Sequence, residues 1–595
     1  MGNLPRLRAV PLCFFAAVAS AAAMGAYFGE AMQGTAALIA CMLLFWGACA
    51  VRPSRKEAAL CALLGVAFSL SRVLGLSYDT MDSYGLIMRS AGTLAIALLA
   101  FLSLASMSAC ALMLLLALTR RMAAWAARDG EIDRKQRRRL FLLSAAMIVL
   151  GSVPYLILYA PGLNIFDTHD QILQFFGYPS YIGDGSALSD HHPVFLTVVY
   201  GLFMKAGVLL GSPNAAQLAY SLLSMAAVAL AFAYAFVTLY DLGLGEKPLL
   251  LMAACVALYP VLALYAFNMC KDVSAAPFVL IFIAQALRIH RTRGAVMRSN
   301  RFALAVFANA LMLMLTRKPS LYALAFAAVF MILAYPGVRR RMTAALLGAV
   351  VVFQVGYTSL LLPALRVIPG ETREMLSVPL QQVARVLAEG REITQEELDA
   401  VSRVLDVDYA AANYDPRLSD PVKDTTNPDM TGADLAAFMK AWLRIGLRHP
   451  AAYVEAWINQ IYGYFYPSDS NTIVCLTLNS PDQGGVTLTQ SPALAGARLE
   501  LHNIIYYRLR RIPGIGALFY VDTIVWLFLF AQLAVFLRHG LRALAPAMFF
   551  VGTLGICLLS PKSGEIRYLM PILYALPALL GLVLLPAQGD TEVRA

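Results

Sequence analysis

The sequence predicts an all-α, polytopic membrane protein with roughly 13–15 membrane-spanning helices and one large segment outside the bilayer. The chain has 595 residues, of which 60% are apolar and 14% are charged. A soluble protein of this length could not bury so much apolar surface. Apolar stretches of about 20 residues, long enough to cross a bilayer, recur along the chain. They are continuous rather than alternating, which excludes a transmembrane β-barrel.

The charge distribution predicts which loops face the cytoplasm. The net charge is +11, and basic residues cluster in short gaps between apolar stretches, at 51–57, 119–139, 288–301, 338–342 and 538–542. This is the positive-inside pattern, so these loops are predicted to be cytoplasmic and to contact anionic lipid. The same pattern argues against nucleic acid as a partner. The nine cysteines are scattered without a CxxC motif, and we interpret them as small apolar residues.

The first four spans are predicted near 10–28, 33–51, 58–77 and 88–118, and with the following basic loop they form an N-terminal accessory region, residues 1–139. The start resembles a signal peptide, but further spans follow at once, so an uncleaved first helix is expected. The next span, near 140–160, begins at a basic loop and therefore ends outside. This places Asp167, directly after it, on the outer face.

The region from 193 to 301 presents a conflict. Apolar stretches near 193–211, 214–240 and 249–267 would, as three crossings, put Lys271 and Asp272 inside. The next stretch, 277–288, leads into the basic loop 288–301, which requires the opposite. Either residues 193–267 cross four times or one stretch is re-entrant. Because the basic loop is the stronger signal, Lys271 and Asp272 are predicted near the outer face.

The remaining spans are predicted at 302–316, 320–336, 344–362, 514–537, 543–560 and 568–587. Residues 363–512 form one long external segment, in which 389–434 carry 12 acidic residues against 4 basic ones. Thr394 and Glu397 have the spacing of a capping box, which predicts a short helix, whereas 413–429 reads as irregular loop. Residues 449–467 are aromatic and amphipathic, and would either lie along the membrane interface or pack on the spans.

Charged side chains recur at the predicted outer ends of separate spans. A lone carboxylate there is commonly a helix cap, and a lone cation can bind a lipid headgroup. Together, carboxylates early in the chain and cations late in it predict a site that handles a hydroxyl and a phosphate. The residues are Asp167, Asp170, Asp190, His191, His192, Lys271, Asp272, Arg317, Lys318, Lys562, Glu565 and Arg567.

Several short motifs carry a resemblance to the GT-C superfamily of membrane glycosyltransferases. "FDTHDQ" (166–171) stands where those enzymes place a catalytic Asp after a span, and "SDHHPVF" (189–195) is similar to the Asp and His-Pro-Pro of protein mannosyltransferases. These two motifs are followed along the chain by "NMCKD", "PLQQ" and "EIRY". The order of the five motifs also resembles that of an uncharacterised family of bacterial multi-span proteins. The chain lacks the Asp-Glu pair of the mannosyltransferases and the Trp-Trp-Asp motif of oligosaccharyltransferases.

The resemblance implies a glycosyltransferase in a bacterial plasma membrane with its active site outside. It implies an inverting transfer of a sugar from a polyprenyl-phosphate donor to an envelope glycan, lipid or protein. Residues 140–362 would be the GT-C-like core, 363–512 an acceptor-side segment and 513–595 the C-terminal spans. The base would be Asp167, with Asp170 as the second candidate. The other implied roles are donor-phosphate binding by Lys271, Arg317, Lys318 and Arg567, and lining of the substrate cavity by His191, His192, Asp272, Glu565 and Tyr568.

Other functions stay open on the sequence alone. A transporter or flippase of an anionic or lipid-linked precursor would also need charged groups, although more often near the membrane midplane and with inverted repeats. A structural scaffold would leave the outer cations unexplained, and a polysaccharide polymerase or ligase would use the same lipid carrier. No cofactor is predicted firmly. A divalent cation is left open, because Asp167, His169, Asp170, His191 and His192 offer suitable ligands.

Overall fold

The described part of the chain is mainly helical and contains two strands of two residues each, as expected of an all-α protein. The computed structural model describes residues 4–29, 35–128 and 130–586. Within these ranges, nine helices are long and apolar enough to cross a membrane, and five more apolar helices are 10–17 residues long. The protein is therefore an all-α polytopic membrane protein.

The helices before the large segment are named in chain order. The N-terminal part contains α1 (Leu4–Phe28), α2 (Thr35–Ala50), α3 (Arg55–Met81), α4 (Gly85–Met88) and α5 (Ala91–Ala126). Next come α6 (Arg134–Leu158), α7 (Phe166–Phe175), α8 (Val194–Leu209), α9 (Pro213–Asp241), α10 (Glu246–Leu258), α11 (Pro260–Tyr265), α12 (Lys271–Ser274) and α13 (Ala276–Arg291). Two short strands, β1 (Leu163–Asn164) and β2 (Asn268–Met269), pair in parallel.

The second half continues with α14 (Asn300–Thr316), α15 (Ser320–Ala334), α16 (Arg339–Val351), a π-helix (Val352–Leu361) and α17 (Leu362–Ala364). The large segment carries α18 (Ser377–Ala388), α19 (Gln395–Ser402), α20 (Val407–Ala412), α21 (Asp420–Lys423), α22 (Gly432–Arg448), α23 (Pro450–Ile461) and α24 (Ala495–Asn503). The chain returns through α25 (Val521–His539), a 3-10 helix (Leu541–Ala547), α26 (Met548–Cys557) and α27 (Ile566–Leu584).

The bundle has two distinct faces. The basic loops meet at one of them, the basic face, where Arg137 of α6 pairs with Asp241 at the end of α9 at 2.9 Å. The large segment covers the other, the segment face, where Arg417 pairs with Asp82 after α3 at 3.2 Å and Trp457 donates to the Leu558 carbonyl. The acidic segment and the basic loops thus lie at opposite ends of the spans.

Helix α8 explains the parity conflict between residues 193 and 301. Both of its ends lie on the segment face. Gln171 of α7 donates to the carbonyl of Pro193 at its start, and Val208 near its end lies beside Gly485 of the segment. Of the two alternatives left open by the sequence, four crossings or one re-entrant stretch, the second fits this placement: α8 packs between α7 and the segment and does not connect the two faces.

The predicted span 249–267 is not one helix. It breaks between α10 and α11, because Pro260 has no backbone N–H to donate within a continuous helix. The pair still connects the two faces: Arg139 pairs with Glu246 at the basic end, and β2 follows α11 at the segment face. Lys271 and Asp272 consequently lie on the segment face, at the same ends of the spans as Asp167.

The large segment has a hydrophobic core of its own, which includes Leu380, Val401, Phe438 and Ile445. The capping box predicted at Thr394 is present and begins α19. The region expected to be irregular contains one short helix, α21.

Helix α23 settles the two readings of residues 449–467. Trp457 donates to the carbonyl of Leu558 at 2.9 Å, and Trp526 of α25 donates to that of Phe465 at 3.1 Å. The aromatic stretch therefore packs on the spans.

Gly151 sets the distance between α6 and α10. A Cβ atom added there would lie 2.3 Å from the carbonyl oxygen of Ala257. We expect Gly151→Ala to force the two helices apart and to destabilise the protein by about 1–3 kcal/mol, measured as a lower thermal unfolding temperature in detergent. Gly555→Ala in α26 is the matched control, because nothing lies within 4 Å of its Cβ position. An equal loss in both variants would contradict this account of the helix contact.

The two faces also give a topology test. We expect Ala433→Cys, exposed in α22 on the segment face, to react with a membrane-impermeant maleimide in intact cells, because the basic face is predicted to be cytoplasmic. Arg340→Cys on the basic face should react only after lysis. Both variants would be made in a background in which Cys49, Cys255 and Cys475 are replaced by Ala. Labelling in the reverse pattern would invert the orientation of the whole bundle.

Candidate functional site

The start of α7 is fixed beside α12 by backbone pairing. Strands β1 and β2 place Asn164 next to Met269, and Thr168 of α7 donates to the Met269 carbonyl at 2.5 Å. Two segments that are about a hundred residues apart in the sequence thus meet where α7 begins. The arrangement brings Asp167 and Lys271 to the same place.

Asp167 is the centre of a three-residue ion cluster. Its Oδ2 atom lies 2.8 Å from Nζ of Lys271 and 3.2 Å from a guanidinium nitrogen of Arg567, at the start of α27. The three side chains are 20%, 23% and 22% exposed. They are therefore neither fully buried nor free in water, and a ligand could reach them.

The two cations set the protonation state of Asp167. Burial on its own raises the pKa of this carboxyl, but the charges of Lys271 and Arg567 more than offset that effect and hold the pKa well below its ordinary value. Asp167 is consequently a carboxylate at neutral pH, and a weak base as long as both cations remain on it.

A buried ion pair lies beside the cluster. Arg317, after α14, donates from Nε to Asp272 Oδ1 at 2.8 Å, and the two side chains are only 2% and 4% exposed. Arg317 also donates to the carbonyl of Tyr568 at 3.1 Å. The pair therefore ties α12, α14 and α27 together next to Lys271 and Arg567.

Glu565 completes the end of α27. Its carboxylate lies 2.8 Å from Nζ of Lys562 and 3.5 Å from Nε of Arg567, and its own side chain is buried. It also caps the helix by accepting from the Arg567 backbone N–H. Glu565 thus orients Arg567 towards Asp167.

The loop 189–193 closes another side of the site. Lys318 pairs with the Asp190 carboxylate at 2.9 Å and also contacts the Asp190 carbonyl. His192 is buried and its Nδ1 lies 3.3 Å from Nζ of Lys271. Burial and the Lys271 charge hold the pKa of His192 well below its ordinary value, so this imidazole is neutral. A neutral ring can accept a hydrogen bond from the Lys271 ammonium group.

Asp170 lies one turn further along α7 and is 2% exposed. Its carboxylate is 3.3 Å from Nδ1 of His169. Burial raises the pKa of Asp170, a rise that the hydrogen bond with His169 partly offsets and to which the charge of Asp167 adds. Of the two candidate bases, Asp167 is the one in contact with the cations.

His191 lies between His192 and the large segment, and the two imidazole rings are in edge-to-face contact with centroids 4.6 Å apart. It lies with Glu371 and Glu374, and one ligand atom from each of the three is within 4.8 Å of the others. Of the five metal ligands suggested from the sequence, only His191 belongs to this group. Glu371 pairs with Arg373 and Glu374 with Lys423, so the two carboxylates are already neutralised. Burial lowers the pKa of His191 to about 4.

Most of the predicted residues meet at this site. Asp167, Lys271 and Arg567 form the accessible ion cluster, and a buried set supports it: His192, Asp272, Arg317, Glu565 and Tyr568. Asp170 pairs with His169, and His191 lies with Glu371 and Glu374. Asp190 with Lys318 forms a separate pair at the edge. Sequence reasoning missed Glu371 and Glu374, because nothing in "PGETREML" relates them to a histidine about 180 residues earlier.

The comparisons with known proteins identify a family without a known activity. The model of DUF6020, a family of unknown function, matches residues 182–591. The match includes His192, Lys271, Arg317 and Arg567 and begins after Asp167. No curated protein and no solved structure matches the chain. Because the matched region is well over half of the chain, the protein belongs to the DUF6020 family.

Proposed function

We propose that this protein is an inverting membrane glycosyltransferase that moves a sugar from a polyprenyl-phosphate carrier to an acceptor hydroxyl outside the cytoplasm. The observation that carries the proposal is the ion cluster, in which one accessible carboxylate touches two accessible cations. Such a cluster supplies both groups that the reaction needs, a proton acceptor for the hydroxyl and positive charge for a phosphate. The motif resemblance to GT-C enzymes points to the same reaction.

The chemistry follows from the positions of the three side chains. Asp167 takes the proton from the acceptor hydroxyl as its oxygen attacks the anomeric carbon of the donor. The bond between that carbon and the phosphate oxygen breaks, and polyprenyl phosphate leaves with the bonding electron pair. Lys271 and Arg567 stabilise the charge that develops on the leaving phosphate. The reaction is a single displacement in which the acceptor oxygen attacks the anomeric carbon from the side opposite the leaving phosphate, so the configuration of that carbon inverts.

Donor binding would also activate the base. Without a ligand, Lys271 and Arg567 hold the pKa of Asp167 low and weaken it as a proton acceptor. A phosphate between the two cations draws their hydrogen bonds away from Asp167, and its negative charge raises the pKa of the carboxyl further. Asp167 would then become an effective base only when the donor is bound, which protects the donor from unproductive attack by water.

The neighbouring residues have supporting roles in this proposal. Arg317, implied as a phosphate ligand, is 2% exposed and already paired with Asp272, so we assign it the positioning of α12 and α27. Lys318 is 32% exposed and could hold a more distant part of the donor. His192 would keep the Lys271 ammonium group directed at the site.

The surroundings favour an enzyme over a transporter. The cluster lies at helix ends on the segment face, whereas transporters commonly bind substrates near the membrane midplane. The large segment, with its own core, contacts the site loop through a hydrogen bond from the Asp190 backbone N–H to the Ile368 carbonyl. We propose that this segment binds the acceptor, such as an envelope glycan, lipid or protein. The segment face would then lie outside a bacterial plasma membrane.

The first test of the mechanism is Asp167→Asn. The amide keeps the shape but cannot take a proton, so transfer should fall by roughly 10²–10⁴-fold while polyprenyl phosphate still binds. The measurement is single-turnover transfer by the purified protein from a panel of polyprenyl-phosphate sugars. Asp170→Asn is the matched control and should lose less.

Two results would change the conclusion. Full activity in Asp167→Asn with loss in Asp170→Asn would move the base to the second carboxylate. Full activity in both variants would overturn the mechanism, and flux of a lipid-linked precursor in reconstituted vesicles would then support a transporter.

The second test concerns the phosphate. Arg567→Ala removes a charge-assisted contact worth about 1.5–3 kcal/mol, so binding of polyprenyl phosphate should weaken by roughly 10- to 150-fold. Arg508→Ala is the control variant, because the Arg508 side chain lies on the same face, is 67% exposed and pairs with Glu500. This variant should bind polyprenyl phosphate as well as the unmodified protein does. If Arg567→Ala bound polyprenyl phosphate as tightly as the unmodified protein, the ion cluster would not be the phosphate-binding site.

A further inference from the structure

The junction between the large segment and the loop 189–193 brings together a histidine and two glutamates. His191 of the loop lies with Glu371 and Glu374 of the segment, and one ligand atom from each is within 4.8 Å of the others. Imidazole nitrogen and carboxylate oxygen are the ligand types that bind Zn²⁺ and other first-row divalent ions in proteins. The three residues therefore have the composition of a metal site with three protein ligands.

Backbone pairing fixes the loop beside the segment. The Ile368 N–H donates to the Leu188 carbonyl at 2.8 Å, and the Asp190 N–H donates to the Ile368 carbonyl at 2.8 Å. Gly370 approaches the same loop closely, since a Cβ atom added there would lie 2.9 Å from the carbonyl oxygen of Asp190. Glu371 is the next residue, so the backbone itself holds this carboxylate beside the histidine that follows Asp190.

The local conformation directs both glutamates to the same side. Glu371 immediately precedes a 3-10 helix, Thr372–Leu376, which contains Glu374. The Glu374 N–H donates to the Glu371 carbonyl at 3.3 Å. Side chains three positions apart eclipse one another in a 3-10 turn, and this is why two carboxylates from one short segment can reach a single histidine.

The charge around the group is negative. Each glutamate has a cationic partner, Arg373 or Lys423, but both cations are shared. Arg373 lies 3.7 Å from a carboxylate oxygen of Asp424, and Lys423 lies 3.0 Å from one of Asp420. Four carboxylates of the described segment thus share two cations. This excess of negative charge favours the binding of a positive ion.

The histidine also has a ring nitrogen that the protein does not use. The Nδ1 atom of His191 is buried and has no hydrogen-bond partner among the described residues. The edge-to-face contact with His192 holds the ring in place. Buried polar atoms of native proteins nearly always have a partner, and an ion is one of the partners that can satisfy them.

We propose that His191, Glu371 and Glu374 bind one divalent metal ion, with Zn²⁺ as the preferred ion. Ligands at about 2.0–2.2 Å from one ion lie at most about 4.4 Å apart. Small movements of the two glutamate side chains, which are partly exposed, bring the group to that spacing. The bound ion would tie the large segment to the loop. The site is independent of the proposed transfer reaction, which assigns no role to these three residues.

The test is a titration of the purified full-length protein, without a polyhistidine tag, with ZnCl₂ and with MnCl₂ by isothermal titration calorimetry. The variant Glu371→Gln/Glu374→Gln keeps the size of both side chains and removes their charge. The matched control is Glu396→Gln/Glu500→Gln, because these glutamates are also exposed and paired with arginines of the segment.

We expect one Zn²⁺ per chain, bound about 10-fold or more weakly by the glutamate variant and normally by the control. Zn²⁺ should bind more tightly than Mn²⁺, because of the imidazole ligand. Arg373→Ala should bind Zn²⁺ about 2- to 5-fold more tightly, since the guanidinium no longer competes for Glu371. A gain of this kind cannot result from misfolding.

His191→Ala separates a metal site from an acidic patch. This variant keeps all four carboxylates and loses the nitrogen ligand, so it should also bind Zn²⁺ about 10-fold or more weakly. Undiminished affinity in His191→Ala would overturn the proposal. Equal binding by the glutamate variant and its control, or the absence of saturable binding of either ion to the unmodified protein, would overturn it as well.

Discussion

The cost of keeping charge away from water governs the architecture of this chain. An ionised side chain at the centre of a bilayer costs about 2.5–3.5 kcal/mol or more, so the charged groups of the site lie at helix ends and in pairs. The pair of Arg317 with Asp272 is the extreme case, because both side chains are almost completely buried and each would be strongly destabilising without the other. Through this pair α12, α14 and α27 keep one arrangement, and Lys271 and Arg567 are held at Asp167.

The site depends on contacts between segments that are far apart in the sequence. The parallel pairing of β1 with β2 brings α7 to α12, and the ion pair of Arg567 with Asp167 spans 400 residues. Around these contacts a fully buried layer supports a layer that is about one fifth exposed. Such a division suits a binding site, because the buried layer holds the reactive groups in position while the outer layer exchanges its partners with a ligand.

The cations of the site are balanced by carboxylates. Lys271 and Arg567 both contact Asp167, and together they hold the pKa of its carboxyl low. In the proposed reaction, a donor phosphate would compete with Asp167 for these two cations and would raise the pKa of the carboxyl. Asp167 would then be the stronger proton acceptor when the donor is bound.

The sequence by itself determined the helical membrane fold, the placement of Asp167 and Lys271 at the same ends of the spans as the large acidic segment, and the cap at Thr394. These features follow from local composition, from the charge of adjacent loops and from spacing within one turn. The tertiary structure alone decided that α8 does not cross, since an apolar helix looks the same in a bilayer and between protein layers. It also decided that Arg317 is buried whereas Arg567 is accessible, and that His191 meets Glu371. Burial and long-range contact arise from the packing of distant segments, which no local pattern records.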